Sequence, residues 1–264
     1  MPNAVEHLTP DNGMSYLERL CVAKDRGQVV QNILDEQHHV TVRQKILDGY
    51  NLIIHFGQPW VRVLGAHFDK VEVGQGANDN GAAVAQLLAL AGRLKAQEYQ
   101  GPLTIVFFDQ EERLALGRVE DMGSYALGEA LAFAEHLPDI FLVLDVTGIG
   151  DTIIVSDVEG LSQHRPNQAL LDMESWLHGA CGHVQRFSTP PSDNYALRWH
   201  GIPSLLLTLL PANLDTSKVW NRIHSLKDSL KSIQPAAMSF MAQVLDDLAH
   251  APLRAPVLDS KVKG

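Results

Sequence analysis

Leu103-Thr104-Ile105-Val106-Phe107-Phe108-Asp109-Gln110-Glu111-Glu112 is the stretch on which the reading of this chain turns. It follows the breaker Gly101-Pro102 and opens with a nearly unbroken apolar run. A run that does not alternate with polar residues predicts a strand buried on both faces, as in a parallel sheet. The run stops abruptly in acids. Glu111 and Glu112 repel each other and lose hydration beside a buried strand, so a cation is expected near them. An isolated Glu-Glu pair could otherwise be no more than a solvated loop.

The same pattern recurs on either side. Val61 to Ala66 runs into His67-Phe68-Asp69, and Ile140 to Leu144 runs into Asp145. In open α/β sheets, ligands bind beyond the carboxyl ends of the strands. Three strands that end in metal-ligand residue types would share one edge of the sheet if they are parallel. The turn Gly57-Gln58-Pro59 suggests that Asn51 to Phe56 and Val61 to Ala66 form a hairpin. A shorter strand is predicted at Thr152 to Val155, and another strand at Ser204 to Leu209 after Gly201-Ile202-Pro203. Helices are predicted at Ser15 to Gln37 (weakened at Gly27), Gly81 to Lys95, Ser124 to His136, Asn167 to His178, Asp193 to His200 and Gln234 to His250. Strands alternating with helices predict an α/β fold: a single domain over 1–250 with a mixed, mostly parallel central sheet and helices on both faces. Residues 251–264, with Pro252 and Pro256, read as a loosely attached tail.

Composition narrows the function. The 264 residues are 45% hydrophobic and 20% charged, values that exclude disorder, collagen and coiled coil. A net charge of −10 argues against nucleic acid as a partner. No apolar run approaches the length of a membrane span, and Met1 to Asn12 lacks the pattern of a secretory signal. Cys21 and Cys181 stand apart without a C-x-x-C motif, which suits reduced thiols in a cytoplasmic protein.

Further candidate ligands lie in loops. In His67-x-Asp69 a carboxylate two residues on can orient the imidazole of a metal-binding histidine. Gly74-Gln75-Gly76-Ala77-Asn78-Asp79-Asn80-Gly81 places Asp79 just before a helix, where it could be an N-cap or a well-held bridge between cations. Trp220-Asn221-Arg222-Ile223-His224-Ser225-Leu226-Lys227-Asp228 supplies a late histidine with an acid four residues on. A G-x-S-x-G elbow, an H-E-x-x-H helix and a Walker A loop are all missing.

Taken in order, His67-x-Asp69, Gly76-Ala77-Asn78-Asp79-Asn80, Phe107 to Glu112, Gly123-Ser124, Leu144-Asp145-Val146-x-Gly148, Ser192-Asp193, Gly201-Ile202-Pro203 and Ile223-His224-x-x-x-Asp228 resemble the M28 zinc metallopeptidases. These are bacterial aminopeptidases related to glutaminyl cyclases. The resemblance implies a zinc-exopeptidase-like fold and two zinc ions. His67 and Asp145 would bind one, Glu112 and His224 the other, and Asp79 would bridge them. It implies Glu111 as the general base and Asp69 as the partner of His67. It further implies that Asp228 supports the His224 loop and that the Asp79-Asn80 peptide is cis. The substrate would be a peptide or aminoacyl compound with a free N-terminus. The ten residues from Arg113 to Met122, together with Phe107-Phe108-Asp109 and Val219-Trp220, echo the cyclases, which use one zinc. Ser192-Asp193 and Ile223-His224-Ser225 fit the peptidases better, and a non-catalytic relative is the third alternative.

Overall fold

Leu103–Phe108 is a strand with every residue buried, as its sequence predicts. In the computed structural model, which describes residues 13–156 and 168–251, it is the fourth strand of eight. The strands are β1 (Val42–Lys45), β2 (Tyr50–Phe56), β3 (Arg62–His67), β4 (Leu103–Phe108), β5 (Ile140–Leu144), β6 (Thr152–Ser156), β7 (Val184–Arg186) and β8 (Ser204–Leu210), in the spatial order β1-β2-β4-β3-β5-β8-β6-β7. β3 is parallel to both β4 and β5, and β5 is parallel to β8. β2 is antiparallel to β4 and β6 to β8. The sheet is therefore mixed and mostly parallel.

The predicted β2–β3 hairpin does not form. β4 lies between the two strands, antiparallel to β2 and parallel to β3. The apolar run of β4 is the reason: buried on both faces, it gains most at a position with a strand on each side.

The helices are α1 (Met14–Val22), α2 (Arg26–Glu36), α3 (Ala82–Ala96), α4 (Gly123–Phe133), α5 (Gln168–Cys181), α6 (Asp193–Trp199), α7 (Ser217–Trp220) and α8 (Pro235–His250). Adjacent residues on the central strands serve opposite faces. Leu64, Phe107 and Leu142 pack with α1, α2, α3, α5 and α8, whereas Val63, Phe108 and Phe141 pack with α4 and α6. Each fully buried large side chain contributes about 1.5–3 kcal/mol. Gly65 sits between Phe108 and Phe141, whose rings stack at 5.7 Å, and a Cβ there would come within 2.8 Å of both rings.

The helix predicted over Ser15 to Gln37 is broken in two. Asp25 caps α2 by accepting the Gln28 N–H at 2.9 Å, so the break falls at residues 23–25 rather than at Gly27. Gly27 stays inside α2 because Tyr50 and Phe68 pack directly against it. Cys21 and Cys181 are free thiols. Among the described residues, no helix is long and apolar enough to cross a membrane. The 251–264 tail lies outside the described residues apart from Ala251.

Candidate metal centre

Because β3, β4 and β5 are parallel, their carboxyl ends fall on one edge, and His67, Asp109 to Glu112 and Asp145 emerge together there. His67 is the last residue of β3 and is wholly buried. Its Nε2 lies 3.4 Å from Asp79 Oδ1, 3.6 Å from Asp145 Oδ1 and 3.9 Å from Glu111 Oε2. His224 faces the other side of the cluster, with Nε2 3.1 Å from Asp79 Oδ2 and 3.0 Å from Glu112 Oε2. Asp79 thus turns one oxygen to each histidine. The predicted ligands His67, Asp79, Glu112, Asp145 and His224 converge, and Glu111 stands beside them.

The supporting contacts explain how distant segments meet. His67 Nδ1 lies 3.2 Å from Asp69 Oδ1. The Asp69 carboxylate also accepts the backbone N–H groups of Glu111 and Glu112, each at 3.1 Å. A single carboxylate, two residues past the end of β3, therefore fixes both the imidazole and the backbone of the acidic pair. Gln110 takes a left-handed conformation, which turns the chain after β4 into a short 3-10 segment over Glu111–Leu116. Asn51 steadies the same loop, accepting from Asp109 N at 3.2 Å and donating to Gly123 O at 2.8 Å.

Asp79 does not cap a helix. It lies in extended backbone inside a π-type turn over Ala77–Gly81, before α3 begins, and its peptide bond to Asn80 is cis, as the resemblance implies. Asn80 donates to Leu144 O at 2.8 Å and accepts from Val146 N at 3.3 Å, which ties this turn to the end of β5 and to Asp145. Asp228 accepts the N–H groups of Asn78 at 2.7 Å and Asp79 at 3.1 Å. It therefore joins the loop that carries His224 to the turn that carries Asp79.

The electrostatics of the cluster call for a cation. Burial raises Glu111 well above the usual carboxylate range, and burial plus the neighbouring Asp79 raises Glu112 to about 7. Asp145 is raised in the same way. Burial alone would lower His67, but Glu111, Asp145, Asp69 and Asp79 raise it well above an ordinary imidazole. The bond to Asp79 raises His224 to about 9. Asp79 is lowered: burial opposes its charge, but both histidines outweigh it. His67 Nε2, Asp145 Oδ1 and Glu112 Oε1 are buried atoms without a hydrogen-bond partner among the described residues. In two groups, His67 with Glu111 and Asp145, and His67 with Asp79 and Glu112, the candidate ligand atoms lie within 4.8 Å of one another. Orphaned nitrogen and carboxylate donors around a surplus of acid fit a borderline metal such as zinc.

Two buried residues near the cluster are absent from the predicted set. Asp193, at the start of α6, is raised to about 7 by burial, against the pull of His67 and the Ser124 hydroxyl. The pair Ser192-Asp193 was legible as a motif, but its closeness to Glu111 was not. Arg26 carried no sequence signal, because it reads as one more polar position on an N-terminal helix. The cluster opens on a cleft of about 260 Å³, lined on its other side by Leu114, Val146, Pro190, Leu206, Trp220 and Ile223.

No curated protein is similar to the chain in sequence at a significant level. Solved structures share its fold at low identity. A glutaminyl cyclase from Porphyromonas gingivalis is 19% identical, with a TM-score of 0.71 over 89% of this chain and 95% of that one. A leucine aminopeptidase precursor from Bacteroides thetaiotaomicron is 16% identical, with a TM-score of 0.70 over 92% and 97%. A Zn-dependent exopeptidase from Parabacteroides distasonis is 16% identical, with a TM-score of 0.71 over 94% and 100%. The family profile described as Peptidase family M28 matches residues 54–249, which span β2 to α8 and include every residue of the cluster. The chain therefore belongs to peptidase family M28.

Proposed function

We propose that the protein is a zinc-dependent aminopeptidase that removes N-terminal residues from peptides. In this reading His67 and Asp145 hold one zinc, Glu112 and His224 hold a second, and Asp79 is shared. The observation that carries it is the two-sided use of Asp79, with Oδ1 toward His67 and Oδ2 toward His224. One cation would need only one of these faces. Bound zinc supplies an acidified water and a polarised carbonyl.

The chain's own residues supply the rest. Glu111 lies at the floor of the cleft, where its Oε2 can take a proton from water and return it to the leaving amine. Asp69 keeps the His67 ring and the Glu111 backbone in register, so ligand and base move as a unit. The surplus carboxylates suit a substrate's free α-ammonium. The apolar residues of the cleft suit an apolar first side chain.

A second reading, a glutaminyl-cyclase-like acyltransferase with one zinc, is favoured by the ten-residue segment from Arg113 to Met122. The test is elemental analysis of the purified protein beside a peptide panel. The aminopeptidase predicts two zinc ions per chain and release of apolar residues from aminoacyl-anilides, abolished by a chelator. The cyclase predicts one zinc and ammonia release from glutaminyl peptides. A metal-replete sample that leaves the panel intact overturns the aminopeptidase.

A further inference from the structure

Arg26 lies outside the part of the chain that matches the family profile, in the first turn of α2. Only 5% of it is exposed. A buried guanidinium is costly unless its donors are satisfied. Here they meet four backbone carbonyls in three segments. Nε donates to Leu20 O at 3.3 Å, at the end of α1. Nη1 reaches Phe68 O at 3.5 Å, the residue after His67. Nη2 donates to Gln75 O and, at 2.7 Å, to Gly76 O, in the loop that leads to Asp79. Gly76 is shaped to this contact. Its φ is +56°, and a Cβ there would sit 3.0 Å from the guanidinium and 2.7 Å from Asp79 O. The same loop is held from the other side by the His224 segment, where Gln75 N donates to Asp228 O at 2.9 Å. The acids whose charge acts on Arg26 are Asp228, Asp79 and Asp69.

We infer that Arg26 is a positioning residue for the metal centre: by gripping Phe68 on one side and Gln75 and Gly76 on the other, it sets the spacing between His67 and Asp79 from beneath. The inference rests on the metal-site reading above. Arg62 provides an internal control. It is equally buried and also donates to three carbonyls, those of Leu248, Ala249 and Ala251, but it stands at the opposite end of β3 from His67.

The experiment compares Arg26→Met, Arg26→Lys and Arg62→Met with the parental protein. It measures zinc affinity by chelator competition, the visible spectrum of the cobalt-substituted protein, and thermal melting. R26M is expected to weaken zinc by about tenfold or more, in the range found when groups that orient metal ligands are removed, and to alter the cobalt spectrum. R26K, which keeps the charge but cannot span four carbonyls, should fall between R26M and the parent. R62M should lower the melting temperature and leave zinc affinity within twofold. The inference is overturned if R26M binds zinc within twofold of the parent, if R26M and R62M weaken it equally, or if neither Arg26 variant folds. A parental protein that takes up no metal would overturn the site reading and this inference together. Unchanged affinity in R26M beside a metal-binding parent overturns this inference alone.

Discussion

The two histidines of the centre are held in different ways. His67 ends a central strand, is 0% exposed, and has its second nitrogen engaged by Asp69. His224 sits in the loop between α7 and α8, in a left-handed conformation with φ of 54°, and its side chain is 46% exposed. One half of the site is an outgrowth of the sheet. The other is a loop brought up to it, tied through Asp228 to the backbone of Asn78 and Asp79. Rigid elements hold a ligand through their packing, whereas a loop holds one only through specific bonds. The His67 half should therefore set affinity and stability, and the His224 half should be separable from the fold.

The largest expected effect belongs to neither half. Glu111→Gln should lower turnover by about 10²- to 10⁴-fold while metal content stays unchanged, because in the proposed reading Glu111 carries the proton and does not hold the metal. Kinetics beside elemental analysis checks this, and an unchanged rate would mean that the base is misassigned. The next experiment sets the halves against each other. His67→Ala should lower both metal binding and the melting temperature of the metal-free protein. His224→Ala should reduce metal content from two to one per chain and lower that melting temperature less than His67→Ala does, because only the ion pairs of a half-exposed loop residue are lost. Equal effects on melting would break the comparison. Asp69→Asn and Asp228→Asn should each weaken metal binding by about 10- to 100-fold. D69N should act on the His67 half, and D228N on both halves because it frees the Asp79 turn.

The smallest effect is a pH dependence of the metal-free protein. Glu112 and Asp193, ordinarily near 4.5 and 3.8, are raised to about 7 in the fold. Between those values the folded state binds more protons than the unfolded chain, so stability falls as pH rises from about 5 to 7. His224 is raised from 6.5 to about 9, so its contribution is complete below 6.5 and is lost as pH rises to 9. The melting temperature of chelated protein should decline from pH 5 to 9, and added zinc should remove the decline. A flat chelated curve would mean that the cluster is more hydrated than its burial implies.

The centre of the sheet and the residues at its edge were legible in the sequence. β3, β4 and β5 are buried on both faces and so read as apolar runs, and whatever follows such a run must stand at the sheet's carboxyl edge. That rule alone put His67, Glu111, Glu112 and Asp145 in one place. The sequence also carried Asp79 and His224, but as motif positions rather than as consequences of a strand. Only the tertiary structure decided the strand order. Pairing is a contact between distant segments, and no local period shows that β4 would enter between β2 and β3. The edge strands β1 and β7 were missed because a short, half-exposed strand has no apolar run to read. Asp69's hold on the Glu111 and Glu112 backbone and Arg26's grip on Phe68, Gln75 and Gly76 were invisible for a related reason. Their partners are main-chain groups, which every residue has in common, so only the path of the folded chain determines which of them come within reach.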